Sequence, residues 1–242
     1  MGTLVVPDGL RPWVAEIEIA AASGKEAVDM PDHATTLIVR TTPGERRAVV
    51  VIGPRTSAAY HVADVGTSCV RVRLQPGRGK ALLEQSVREF TDRAVRVRGL
   101  PGLDAEGLIE DPVGALTTVF AERRVDGQLL MEAAELILAG KGIADTAQRL
   151  HISERHLRGM FVDGMGISPK HFARIDRVRN VLATPRKPRW ADVATEVGYY
   201  DQSHMTREFR LLMGVPPAAF SAGRRPVAQR CGLTAESVSH AW

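Results

Sequence analysis

The spacing of apolar residues changes character near the middle of the chain. From Trp13 to Leu74 the period is two or the runs are short and β-branched. Trp13, Ala15, Ile17 and Ile19 alternate with Val14, Glu16 and Glu18, Thr36–Arg40 and Ala48–Ile52 are compact runs bounded by Gly or Pro, and Val70, Val72 and Leu74 alternate with Arg71 and Arg73. A period of two sends neighbouring side chains to opposite faces of a strand, which predicts a small antiparallel sheet or barrel with Arg71 and Arg73 on a wet face. After Pro76-Gly77 the spacing lengthens to three and four at Ala81, Leu82, Leu83, Val87 and Phe90, a helical period. Two further helices are expected around Leu103–Ile109 and Val113–Arg124, beyond the breaker run Gly99-Leu100-Pro101-Gly102. Asp126-Gly127 reads as a linker, and helical spacing then continues from Leu129 to about Phe220. The expected fold class is α+β: residues 1–125 form a small antiparallel β-barrel or sheet domain with helices, and residues 129–221 an all-α domain. Residues 222–242 are expected to be a mobile tail, since Arg, Gly and Ser mix there without periodicity.

Composition narrows the class without deciding it. A chain of 242 residues with 44% hydrophobic and 25% charged residues suits two modest globular domains. The longest apolar run, Ala48–Ile52, falls far short of the ~20 residues of a bilayer span, and Met1–Pro7 lacks an export signal, so no membrane association and a cytoplasmic location are expected. Cys69 and Cys231 lie 162 positions apart without companions at ligand spacing, which suggests neither a disulfide framework nor a zinc site. Charge is more informative. Residues 1–128 hold 16 basic and 17 acidic side chains, and residues 129–242 hold 16 and 11, so the excess of +5 is C-terminal. Such an excess suits a polyanion, whose counterions are released on binding, but it equally suits a solvated Arg-rich surface.

An internal repeat decides between these. Ser153, Leu157, Phe161, Gly166, Pro169 and Phe172 correspond in type to Asp201, Met205, Phe209, Gly214, Pro217 and Phe220 at an offset of 48, while Ala147 and His151 correspond to Ala194 and Gly198 at an offset of 47. Each copy reads as a helix-turn-helix. A small residue (Ala147, Ala194) allows close helix crossing, a turn residue tolerates left-handed backbone (His151, Gly198), and a helix cap follows (Ser153, Asp201). Leu157, Met160 and Phe161 then form the buried face of one second helix, and Met205, Phe209 and Leu212 that of the other. Glu154, Arg155, Arg158, Gly159 and Val162 are left outward in the first copy, and Gln202, Ser203, Thr206, Arg207 and Arg210 in the second. Arg can donate two parallel hydrogen bonds to guanine, Gln pairs similarly with adenine, and Ser or Thr adapts to either. A single pair of helices joined by a turn is common in any α domain; two in tandem with the same order of small residue, turn, cap and aromatic are far more specific.

Residues 129–221 resemble the DNA-binding domain of the AraC/XylS family of bacterial transcriptional regulators. The resemblance rests on Ile143-Ala-Asp-Thr-Ala147, Ser153-Glu-Arg-His-Leu-Arg-Gly-Met-Phe161, Gly166-Ile-Ser-Pro169, Val193-Ala-Thr-Glu-Val-Gly-Tyr-Tyr-Asp-Gln-Ser-His-Met-Thr-Arg-Glu-Phe209 and Gly214-Val-Pro-Pro217. It implies seven helices in which a linker helix, about Pro169–Ala183, holds two recognition helices, about 153–163 and 201–212, in successive major grooves of double-stranded DNA, roughly 34 Å apart. By the family pattern Arg155, Arg158 and Gly159 fall on base-reading positions of the first recognition helix, and Gln202, Ser203, Thr206 and Arg207 on those of the second. Gly159 departs from the long residue usual there, and Trp190 replaces the usual aliphatic residue and is read as packing. Arg186, Lys187 and Arg189, in a Pro-flanked loop, and Arg210 are assigned to phosphate. No cofactor, metal or catalytic residue is expected; RNA polymerase and a small-molecule effector are the further expected partners.

The first half suits the β-barrel sensor domains that many such regulators carry. Asp32 and His33 are candidates for lining an effector pocket, set against the plainer reading of a turn beside Pro31. A cupin-type barrel enzyme is the competing class there, but only His33 and His61 occur among the strands, too few to hold a metal. An architectural DNA-binding protein without ligand is a further alternative, and it would lack outward Gln and Arg at helix starts. The amphipathic helices within 103–124 fit a homodimer contact and packing within the domain equally well.

Overall fold

The structure, a computed structural model, describes residues 2–21, 24–41, 47–62, 66–97, 100–121, 123–184 and 189–230. The N-terminal unit contains β1 (Gly2–Leu4), β2 (Val14–Ala21), β3 (Glu26–Asp29), β4 (Thr36–Thr41), β5 (Ala48–Ile52), β6 (Ala59–Val62), β7 (Ser68–Leu74), α1 (Gly79–Leu83), β8 (Ala94–Val97), α2 (Ala105–Glu110) and α3 (Pro112–Ala121). A six-stranded sheet runs β1-β2-β7-β4-β5-β8, every neighbour antiparallel. In β7 the expected alternation buries Val70, Val72 and Leu74, whereas β5 is buried along its whole length. In β2 the alternation is broken by an irregularity between Val14 and Glu16, so Trp13 and Val14 are both buried; further along, Ile17 is buried and Ile19, on the same face, is 41% exposed.

Two expectations for this unit are corrected, and one strand is added. The helix expected from Ala81 to Phe90 is two short pieces, α1 and a 3-10 turn over Val87–Phe90. Between them Glu84 takes a left-handed backbone (φ 55°), which an α-helix cannot continue through. Strand β8, which follows, was not anticipated; it covers the outer edge of β5. Nor is the face of Arg71 and Arg73 wet. Arg73 makes two 2.6 Å hydrogen bonds to Asp32, and Arg71 lies 3.5 Å from Asp29, so carboxylates from the end of β3 and the segment after it neutralise that face.

The core of this unit joins Ile17, Leu37, Val51, Val72 and Leu74 of the sheet to Leu82 and Leu83 of α1, Leu108 of α2 and Leu116 and Phe120 of α3. Trp13 stacks on Phe120 with centroids 4.7 Å apart. The apolar faces within 103–124 are thus satisfied by packing in their own unit.

The C-terminal unit comprises α4 (Gln128–Leu138), α5 (Ile143–Arg149), α6 (Glu154–Met165), α7 (Pro169–Ala183), α8 (Trp190–Glu196), α9 (Gln202–Met213) and α10 (Pro217–Ser221), matching the seven expected helices. Its separate core centres on Phe161, Phe172 and Phe209 with Leu157, Ile175, Val178 and Met205. Each fully buried Phe contributes about 1.5–3 kcal/mol of burial free energy, and Phe161 meets Phe172 edge to face at 5.4 Å. Beyond α10 the chain departs from the expected tail: Arg225 lies over the Phe220 ring at 3.6 Å, and β9 (Gln229–Arg230) pairs in parallel with β6. A second sheet therefore runs β3-β6-β9, shared by both ends of the molecule. Residues 231–242 lie outside the described part.

Candidate nucleic-acid interface

The two turns are built alike. His151 has φ 54° and Gly198 φ 85°, the left-handed conformation expected of both. The N–H of Ile152 donates to the Ala147 carbonyl at 3.0 Å, and the N–H of Tyr199 to the Ala194 carbonyl at 2.8 Å. Ser153 Oγ accepts from the His156 N–H at 3.1 Å, and Asp201 Oδ1 from the His204 N–H at 2.6 Å, so each second helix starts on the cap read from the sequence. Ala147 and Ala194 are both buried, as close helix crossing requires. The extra residue of the second turn is Tyr200, and its side chain is 94% exposed at the threshold of α9.

From these starts the expected reading residues emerge on the surface. Arg155, Arg158 and Gly159 of α6 and Gln202, Ser203 and Arg207 of α9 are exposed, and Thr206 is half-buried. Glu154 and Val162, grouped with the outward set by spacing, are also only half-buried. Gln202, Ser203, Thr206, Arg207 and Arg210 line, with Pro216, a concavity of about 480 Å³. Nothing approaches within 4 Å of where a Gly159 Cβ would be, so packing does not require a glycine there. Arg158 is held by Glu154 at 2.5 Å, one turn away. Of the residues assigned to phosphate, Arg189 and Arg210 are exposed, while Arg186 and Lys187 lie outside the described residues. Trp190 is half-buried against the C-terminal core, in line with a packing role.

Glu208 was missed by the sequence reading. It is only 7% exposed, and its carboxylate accepts from Arg174 at 3.1 Å and from Arg177 at 2.8 Å, both on α7. The clue was available: with Met205, Phe209 and Leu212 it occupies the apolar face of α9, where a carboxylate must find a cation. The Arg177 guanidinium also sits 5.3 Å from the Tyr199 ring, so one side chain joins the linker helix, the second turn and the second recognition helix. Burial, reinforced by the Glu208 carboxylate, pushes the Tyr199 phenol well above its ordinary value.

Asp32 and His33 are at the junction with α7. Asp32 bonds Arg73 twice and lies 3.5 Å from Arg179 of α7, and the His33 ring packs on Phe172 of α7 at 4.6 Å. The carboxylate is thus engaged by two guanidinium groups and the imidazole by an aromatic ring. Burial raises the Asp32 carboxyl, but the Arg73 hydrogen bond and the Arg73 and Arg179 charges outweigh it, and it lies below its usual range. Burial drives His33 down to about 4, so it is neutral at physiological pH. Its Nδ1 has no hydrogen-bond partner; the nearest Asp32 oxygen is 3.9 Å away. Among the described residues no three His, Cys, Asp or Glu side chains gather as a metal site, and no helix is long and apolar enough to cross a membrane.

A family described as a helix-turn-helix domain matches residues 146–223. No curated protein matches the chain. Among solved structures, the DNA-binding domain of AdpA, a global transcriptional factor in complex with a target DNA, is 22% identical over 40% of this chain and 93% of its own, with a TM-score of 0.37. A probable AraC family transcriptional regulator from Rhodopseudomonas palustris is 24% identical over 41% of this chain and all of its own, with a TM-score of 0.34. ToxT from Vibrio cholerae is 8% identical over 84% of this chain and 97% of its own, with a TM-score of 0.48.

Proposed function

We propose that this chain, whose residues 146–223 form a helix-turn-helix domain of the AraC type, is a transcription regulator that reads DNA with α6 and α9 in successive major grooves. The observation that carries the proposal is the matched pair of capped helices, both packed on α7. Arg155, Arg158 and Gly159 face bases of one half-site, and Gln202, Ser203, Thr206 and Arg207 those of the other. Phosphate contacts come from Arg186, Lys187, Arg189 and Arg210, with the Tyr200 hydroxyl as an addition that its exposure suggests. Selection of bound duplexes from a random pool, followed by footprinting, is expected to return two short conserved blocks about one helical turn apart. A ratio near unity between specific and non-specific affinity at stated salt favours an architectural role instead. Replacing Lys187 by Ala is expected to weaken binding to every duplex alike and to flatten the salt dependence by about one unit of slope.

The regulatory half of the proposal assigns signal reception to residues 1–125 and DNA reading to residues 129–221. Arg179 donates to the Pro31 carbonyl at 3.2 Å and His33 packs on Phe172, so a rearrangement at the sheet reaches the linker helix directly. A small-molecule effector and RNA polymerase are the proposed further partners, and the footprint length distinguishes a monomer from a homodimer.

A further inference from the structure

The last carbonyls of a helix find no partner within it, and at each reading helix two carbonyls of this end accept from the N-terminal unit. At the end of α6, Thr91 Oγ1 donates to the Gly166 carbonyl at 2.8 Å, Ser86 Oγ to the Asp163 carbonyl at 3.4 Å, and Lys80 pairs with the Asp163 carboxylate. At the end of α9, Tyr60 Oη donates to the Met213 carbonyl at 2.6 Å and the Ala58 N–H to the Leu212 carbonyl at 2.7 Å. Met213 corresponds to Met165 in the repeat, so the two hydroxyls hold the copies one residue apart. The linker helix is gripped between them: the His171 ring lies 3.3 Å from the Thr56 carbonyl, beside the contacts of Pro31 and His33 already described. Every one of these partners lies between residues 31 and 91. Those on α6 and α9 hold these helices by their carboxyl ends, away from the caps where the reading residues begin.

We propose that Thr91 and Tyr60 are positioning residues for DNA recognition: by holding the carboxyl ends of α6 and α9 on the N-terminal unit, where Thr56 and Asp92 tie their two segments together, they fix the separation and rotation of the two readers, and so set the number of base pairs allowed between half-sites. The inference rests on the two-groove reading above. A change of one base pair moves a half-site by about 3.4 Å along the duplex and turns it by about 35°. Readers held from a common frame cannot follow such a shift without breaking a hydrogen bond or losing a base contact. Burial raises the Tyr60 phenol, opposed by Arg225, so the hydroxyl keeps the proton it donates.

The test uses the full chain and the preferred duplex found by selection, with the spacing between its two blocks changed by one and by two base pairs. Wild type is expected to bind the native spacing at least tenfold more tightly than either one-pair change. The double variant Thr91→Val with Tyr60→Phe, which leaves side-chain shape nearly intact, is expected to discriminate less than threefold, with base preference inside each block unchanged. Each single variant keeps one hold and is expected to fall between; the singles decide by the same ratio should the double variant not fold. A spacing ratio in the variants equal to that of wild type overturns the inference alone. A wild type with no preferred duplex overturns the DNA-reading proposal, and this inference with it.

Discussion

The two helix-turn-helix copies share a cap, a turn bond and a buried aromatic, yet they meet the rest of the molecule differently. Residues 164–167 at the carboxyl end of α6 are all buried, whereas Gly214 is exposed after α9 and Leu211 is 63% exposed. The reading surfaces are also unequal. By the offset of 48, Gly159 stands where the second copy has Arg207, and Val162 where it has Arg210. The cations of α6 therefore sit in its first turns, one of them held by Glu154, while those of α9 lie further along an open concavity. The two copies share one local design, and the neighbouring unit anchors the carboxyl end of both, one of them buried and the other more exposed.

The largest effect that would expose this difference is on stability. Both capping glycines are left-handed, Gly166 at φ 73° and Gly214 at φ 74°. A Cβ on Gly166 would lie 2.6 Å from Thr91 Oγ1 and 3.0 Å from the Val87 carbonyl, whereas one on Gly214 would meet only Pro226, at 3.1 Å. Gly166→Ala is expected to destabilise by about 3 kcal/mol and Gly214→Ala by about 1 kcal/mol, measured by denaturant unfolding. Equal losses would mean that the two ends are held alike.

Next is acid sensitivity at the junction with α7. Native His33 resists protonation until about pH 4, while in the unfolded chain it takes a proton near 6.5. Its contribution is fully present above pH 6.5 and is lost as pH falls toward 4, by roughly 3 kcal/mol. Replacing His33 by Gln is expected to flatten the stability profile across that window; an unchanged slope would show that the ring is not shielded from water.

Smaller differences concern binding. Arg207→Ala is expected to lose about 1–3 kcal/mol of discrimination at one base position. Arg158→Ala is expected to lose less, because its guanidinium already has Glu154 as a partner. Equal losses in a competition assay against single-base variants would remove the asymmetry. Smallest of all, Gly159→Ala is expected to stabilise the fold by up to ~1 kcal/mol, since the site is open and helical; a lower melting temperature would reveal a packing need not visible in its surroundings.

These expectations divide along the same line as the legibility of the sequence. The caps Ser153 and Asp201 and the left-handed His151 could be read because each depends on residues within a few positions, and the repeat because the same local pattern occurs twice. Strand β8 and the pairing of Arg73 with Asp32 depend on partners 40 or so positions away, which period and propensity do not report. Asp32 and His33 read as an effector-pocket pair or a turn beside Pro31, but the α7 side chains they face, Phe172 and Arg179, come about 140 residues later. Glu208 is the intermediate case: its neighbours on α9 betray it as buried, while Arg174 and Arg177 emerge only once α7 is packed alongside.

The two-residue strand β9 has a bearing on how the protein should be handled. Among the described residues it is the strand that pairs with the outer edge of β6, at His61 and Val62. Cutting the chain soon after α10 would bare the peptide groups of that margin, and a naked strand margin is a template on which another molecule can stack. Shortened versions prepared to isolate the reading helices together with the sheet should therefore be checked for self-association before any weakness in their DNA affinity is blamed on lost contacts.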